Sequence, residues 1–241
     1  MIIIKNYQIY PYKNDYTFNK KLTINNKINV YSEIINGFDY KTIYFNKLNN
    51  KLSNIITKEL LIFMNQYKLN KNSHILIIGL GNENHTADSI GPKTLKYLNV
   101  NIIGDDYPKI SALEPGVLGQ TGIETFRIIK SVIKEINPDL VIFIDALVSD
   151  NINYLNKTIQ INNYGLIQGS GIKGISSHLN KETIKKDIII IGINTAVEIR
   201  FTNSDSNFIP YLLASKDIDD FIDIMAQIIG RAINNAINEL M

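Results

Sequence analysis

Two apolar runs of strand length each deliver an acid where a buried strand would leave its sheet. Ile75, Leu76, Ile77 and Ile78 run into Gly79-Leu80-Gly81-Asn82. A polar loop carrying Asp88 follows, and Gly91-Pro92 opens a helix. Leu140 to Ile144 is apolar throughout and leads straight to Asp145. A run with no polar alternation fits a strand covered on both faces. In α/β proteins the loops at the carboxyl ends of such strands build the site. The pattern therefore predicts an α/β chain with two carboxylates at one sheet edge.

The rest of the chain supplies the covering elements. Leu52, Ile55, Ile56, Leu60, Phe63 and Met64 recur at helical spacing, as do Ile123, Phe126, Ile129, Val132, Ile133 and Ile136. Asn137-Pro138 stops the second helix. Ser215 is expected to cap a final helix whose apolar stripe runs from Ile218 to Ala236, with Asp217, Asp219 and Asp220 in its first turns. Strands are expected at Leu22–Ile24, Thr42–Phe45, Ser111 onward, Thr158–Ile161 and Asp187–Gly192. The alternation predicts one α/β domain over residues 1–241, with a largely parallel mixed sheet. Residues 1–70 form its variable N-terminal segment, packed on a core of residues 71–241.

Composition narrows the chemistry. The chain has 241 residues, a net charge of +2 and no cysteine. Thiolate nucleophiles, disulfides and cysteine-based zinc sites are thereby excluded. The charge balance predicts neither a nucleic-acid nor a membrane partner. Met1 to Lys5 is too short for the apolar region of a signal peptide. A cytoplasmic protein is expected.

Asp88 and Asp145 are the leading catalytic candidates. Two carboxylates in close proximity repel, which raises one pKa. One can then activate water while the other, protonated, polarises a carbonyl. Taken singly, Asp88 also reads as a helix-capping acid and Asp145 as a solvated strand end. Gly81 and Asn82 are expected to bind substrate, the glycine by letting the backbone come close and the asparagine as a hydrogen-bond donor. The loop lacks the third glycine of a dinucleotide fingerprint and the lysine of a phosphate-binding loop, so no nucleotide cofactor is expected. Gly169, Ser170 and Gly171 form a second glycine cluster that reads as a mobile loop or a substrate contact. No metal-ligand spacing is present, although Asp88, Asp145 and one of His85 or His178 define an alternative metal-assisted site.

Several blocks resemble the germination protease family, endopeptidases that degrade small acid-soluble spore proteins. They are Gly79 to Asn82 with Thr86 to Lys93; Ser111 to Thr125; Asn137 to Asp139 leading to Ile144-Asp145-Ala146-Leu147; Asn156 to Ile161; Gly169 to Gly171; Ile191 to Val197; and Ser215 to Ile222. The likeness runs in order from about residue 71 to 238. It implies a three-layer α/β/α sandwich like that of hydrogenase-maturation proteases. It also implies an aspartate-dependent endopeptidase whose two acids match Asp88 and Asp145, and a spore-core location in a sporulating organism. A homo-oligomer, tetrameric in the family, and a self-cleaved N-terminal segment complete the picture. Ala87 departs from the family's usual proline, Gln168 from its frequent histidine, and Glu114 from an apolar residue. No segment before residue 40 resembles the processing site, and the Val197–Ser215 connection is short. The alternatives are a metal-assisted maturation-type protease and a non-catalytic binding or assembly module that keeps the fold.

Overall fold

Apolar residues alternate between two faces along each central strand, and that alternation fixes the architecture. The computed structural model describes residues 21–25, 28–35, 37–100, 107–168, 177–202 and 208–240. The central strands are β4 (His74–Gly79), β5 (Lys109–Leu113), β6 (Leu140–Ser149) and β10 (Asp187–Thr202). They lie side by side in the order β10-β6-β4-β5 and all pair in parallel. Ile75, Ile77, Ile142, Ile144, Ile189 and Ile191 face one way. Leu76, Ile78, Val141, Phe143, Ile188 and Ile190 face the other. The period of two along a strand sends each set into a separate apolar layer.

An antiparallel wing extends this parallel core. β1 (Lys21–Asn25), β2 (Ile28–Ile35) and β3 (Phe38–Tyr44) form a meander. β3 pairs with β7 (Thr158–Asn162), and β7 pairs with β10. The N-terminal segment therefore continues the same sheet. Its predicted strand at Leu22–Ile24 falls in β1, and that at Thr42–Phe45 falls in β3 apart from Phe45, which follows the strand.

Helices α1 (Asn50–Met64), α2 (Ile90–Leu95) and α6 (Ile218–Glu239) cover the first face. Asn49 caps α1, its side chain accepting the N–H groups of Lys51 and Leu52 at 3.0 and 3.3 Å. The second face is covered by α4 (Thr125–Ile136) and by the hairpin β8 (Gly165–Gln168) and β9 (Ser177–Asn180). Short helices α3 (Leu118–Thr121) and α5 (Lys181–Ile184) flank them. The result is an α/β/α sandwich with a mixed sheet. Each fully buried Ile or Leu contributes about 1.5–3 kcal/mol, and Ile and Leu make up most of both layers.

Three local expectations change. β6 and β10 run well past Ile144 and Gly192, to Ser149 and Thr202. The stretch between Val197 and Ser215 is no simple connection: β10 pairs antiparallel with β11 (Phe208–Leu213), from Val197 opposite Leu213 to Thr202 opposite Phe208. Ser215 does not cap the last helix. Its hydroxyl oxygen accepts the Asn156 side-chain amide at 2.6 Å, and Asp217 occupies the cap position before Ile218. Among the described residues no helix is long and apolar enough to cross a membrane.

Candidate active site

Pairing between β4 and β6 ends at Gly79 opposite Ile144, with the Leu80 N–H donating to the Ile144 carbonyl at 2.8 Å. One residue further along β6 stands Asp145, fully buried. The chain leaving β4 folds back over this point through a 3-10 turn, Thr86–Asp88, into α2.

Glycines permit that approach. A Cβ on Gly91 would lie 2.2 Å from the Leu80 carbonyl oxygen and 2.7 Å from that of Ile144. A Cβ on Gly79 would lie 2.5 Å from the Gly91 carbonyl oxygen. Gly81, at φ +117, backs onto Asp88, where a Cβ would meet the carbonyl oxygen at 1.9 Å. That dihedral disfavours any residue with a side chain. The substrate-loop glycine expected from sequence thus packs against the first acid itself.

Hydrogen bonds complete the loop. The Asn82 N–H donates to the Asp88 carbonyl at 3.1 Å, and the Asp88 N–H to the His85 carbonyl at 2.8 Å. From β10, the Thr195 hydroxyl donates to the Ala87 carbonyl at 2.6 Å. Thr195 lies 108 residues along the chain from Ala87.

Both acids are almost wholly inaccessible, Asp88 at 1% and Asp145 at 0% exposure. Burial pushes the Asp145 carboxyl well above the usual carboxylate range, and the charge of Asp88 pushes it further. The Ala146 N–H, donating to Asp145 Oδ1 at 3.0 Å, opposes the rise. Asp145 Oδ2 is buried with no hydrogen-bond partner among the described residues. Burial also raises Asp88, and the Asn82 N–H and His85 pull it back. Burial thus raises both carboxyls, and the charge of Asp88 acts on Asp145. The helix-capping and solvated-strand-end alternatives do not match this burial.

The other sequence candidates separate. Asn82 is partly exposed beside Asp88, its Oδ1 accepting from Gln120 Nε2 at 2.6 Å and from the Asn84 N–H at 3.0 Å. Gly169, Ser170 and Gly171 lie outside the described residues. His74 sits at the opposite end of β4, bonded to Ser111 Oγ at 2.8 Å. His85 is exposed just before the 3-10 turn, and His178 is exposed in β9. Among the described residues no group of three or more His, Cys, Asp or Glu side chains is placed to hold a metal ion. Sequence reasoning gave no role to Thr195 or Gln120 and read Gly91 only as opening a helix, although all three lie inside the family-like blocks.

Fold and site together define an α/β/α protein with two buried carboxyl groups, Asp88 acting on Asp145, toward the carboxyl edge of its parallel strands. Residues 38–215 match the family model described as germination protease, and the chain belongs to that family. It is 37% identical over 169 residues to the germination protease of Geobacillus sp. strain WCH70, covering 66% of this chain and 45% of that protein. It is 41% identical over 140 residues to that of Caldanaerobacter subterraneus subsp. tengcongensis, covering 54% of this chain and 43% of the relative. The matched region thus spans under half the length of these relatives. The structure is also similar to that of a NiFe hydrogenase maturation protease from Thermococcus kodakarensis. That likeness has a TM-score of 0.44 and 20% identity, and covers 73% of this chain and 98% of the other.

Proposed function

We propose that this chain is an endopeptidase that hydrolyses peptide bonds of small acid-soluble spore proteins, or a related protein, with Asp88 and Asp145 as the acid–base pair. The observation that carries the reading is the burial of both acids where β4–β6 pairing ends, with the charge of Asp88 acting on Asp145. An ionised carboxylate without compensation in such a place costs several kcal/mol, so the pair is expected to share one proton at neutral pH. Asp145, with burial and Asp88 both raising it, keeps that proton. Asp88 is then the base.

In this scheme Asp88 takes a proton from water as the water oxygen attacks the scissile carbonyl carbon. Asp145 donates its proton toward the carbonyl oxygen, where charge develops. Collapse of the tetrahedral species breaks the C–N bond. The proton held by Asp88 passes to the leaving amine, and Asp145 recovers its own. No covalent enzyme intermediate forms. Gly81 lets the loop backbone approach, and Asn82 supplies a donor beside Asp88. Gly169, Ser170 and Gly171 are assigned to substrate contact on the family resemblance. A cytoplasmic or spore-core setting and a homo-oligomeric state, a tetramer in the family, belong to the same reading.

The test is cleavage of purified small acid-soluble spore protein, read by mass spectrometry. The Asp88→Asn and Asp145→Asn variants should each lose at least about 10²-fold in kcat, a loss typical of removing a group that acts on the reacting atoms. Wild-type rates in either variant would end the reading.

A further inference from the structure

Asn82 belongs to a chain of side-chain amides whose orientation the backbone sets. At the start of α3 the Val117 N–H donates to Gln120 Oε1 at 3.2 Å. A backbone N–H can only donate, so the oxygen end of Gln120 faces Val117 and the nitrogen end is presented outward. That nitrogen donates to Asn82 Oδ1 at 2.6 Å. The Asn84 N–H donates to the same oxygen at 3.0 Å. Both contacts require an acceptor, so Oδ1 of Asn82 is committed. Among the described residues its Nδ2 has no hydrogen-bond partner, on a residue whose own N–H is bonded to the Asp88 carbonyl.

We infer that Gln120 is a positioning residue for the peptidase reaction, holding the Asn82 amide so that Nδ2 is presented to the carbonyl oxygen under attack. The inference rests on the proposed peptidase function and adds a fixed amide donor beside the proton that Asp145 supplies. An oxyanion gains most from a donor fixed before the reaction begins, because no reorientation is then needed in the transition state. An asparagine amide free to turn presents acceptor and donor equally. Gln120 and the Asn84 N–H remove that freedom from one end only. Gln120 comes from a separate loop, 38 residues along the chain from Asn82. Docking of α3 against the Gly79–Pro92 loop would therefore couple two parts of the sequence into one site.

The chemistry of Gln120 offers a selective variant. Gln120→Glu keeps an oxygen for the Val117 N–H, and so keeps the α3 cap, but no longer has a donor for Asn82 Oδ1. Gln120→Met removes both without adding charge, and Gln120→Lys restores a donor without the amide. On a spore-protein substrate, Gln120→Glu and Gln120→Met should each lower kcat by about 10- to 100-fold, part of the roughly 10²–10³ that an oxyanion donor supplies. KM should stay within about twofold, because an interaction made only in the transition state leaves substrate binding alone. Gln120→Lys should recover part of the loss. Asn82→Ala should cost at least as much, and the Asn82→Ala/Gln120→Glu pair no more than Asn82→Ala alone, since Gln120 acts through Asn82. Thermal melting of each variant checks folding. Wild-type kcat in Gln120→Glu and Gln120→Met, a loss confined to KM, or additive losses in the double variant would overturn the positioning role and leave the peptidase reading intact. No cleavage by wild-type protein would overturn both.

Discussion

The Thr195 hydroxyl donates to the carbonyl of Ala87 at 2.6 Å, tying β10 to the residue just before Asp88. Asp145 pairs across β6 and β10 with Gly192, three positions before Thr195 on the same strand. One strand thus steadies both acids, Asp145 through its ladder and Asp88 through a side chain. Thr195→Val keeps shape and removes the donor. It should cost about 1 kcal/mol of stability, the usual net worth of a hydrogen bond. It should also lower kcat more than it changes KM. Denaturant melts and steady-state kinetics on one preparation check both; an unchanged kcat would make the bond purely structural.

Gly91 sits where no side chain fits. Its missing Cβ would collide with backbone oxygens of Leu80 and Ile144, which cannot rotate away. Gly91→Ala should therefore push α2 off the end of β6. The expected cost is about 1–3 kcal/mol, typical of overpacking, with a loss of activity larger than the loss of folded protein. Gly119→Ala is the control, because its added Cβ meets nothing within 4 Å.

Replacing the ionisable group of Asp145 should make the protein more stable at neutral pH while abolishing cleavage. Its carboxyl is held protonated to higher pH when folded than when unfolded. The folded state therefore binds more protons between the two pKa values, and stability is lost as pH rises through the folded one. Asp145→Asn has no proton to lose. Its melting temperature should exceed that of wild type at pH 7, and the gap should close in acid below the ordinary carboxylate range. An equal gap at both pH values would remove the buried-charge explanation.

The interaction between the acids can be read directly. Asp88 raises Asp145 through charge, so Asp88→Asn should lower the Asp145 pKa even though burial remains. Carboxyl carbon NMR across a pH titration measures this. A pair that shares a proton also predicts a bell-shaped pH dependence of kcat/KM, whose two limbs belong to the pair as a whole. Asp145 titrating identically in wild type and Asp88→Asn would show that the acids are independent.

The elements that sequence placed best are those whose burial is one-sided or total. Leu140 to Ile144 has no polar residue and could only be a covered strand. Phe126, Ile129, Val132 and Ile133 repeat at helical spacing and form the buried side of α4. Ends were harder. β10 continues to Thr202 because β11 supplies new partners after β7 stops at Ile193. That pairing depends on residues beyond the strand itself. Ser215 looked like a cap because serine often is one, but its hydroxyl is engaged by Asn156, 59 positions away.

The candidate site divides the same way. Asp88, Asp145, Gly81 and Asn82 were visible because each follows an apolar run in the sequence, Asp145 directly and the others in the loop after Gly79. Thr195 and Gln120 were not, because a threonine in a strand and a glutamine in a short helix carry no local sign of what they touch. By itself the sequence determined that two apolar runs would lead to acids and that glycines would flank the first, since periodicity and side-chain volume are local properties. The meeting of those acids in a place dry enough to raise their pKa values was decided only by tertiary structure. So were the Thr195 tether and the locked Asn82 amide. Desolvation and hydrogen bonding depend on which distant segments exclude water and face one another, and strand order sets that.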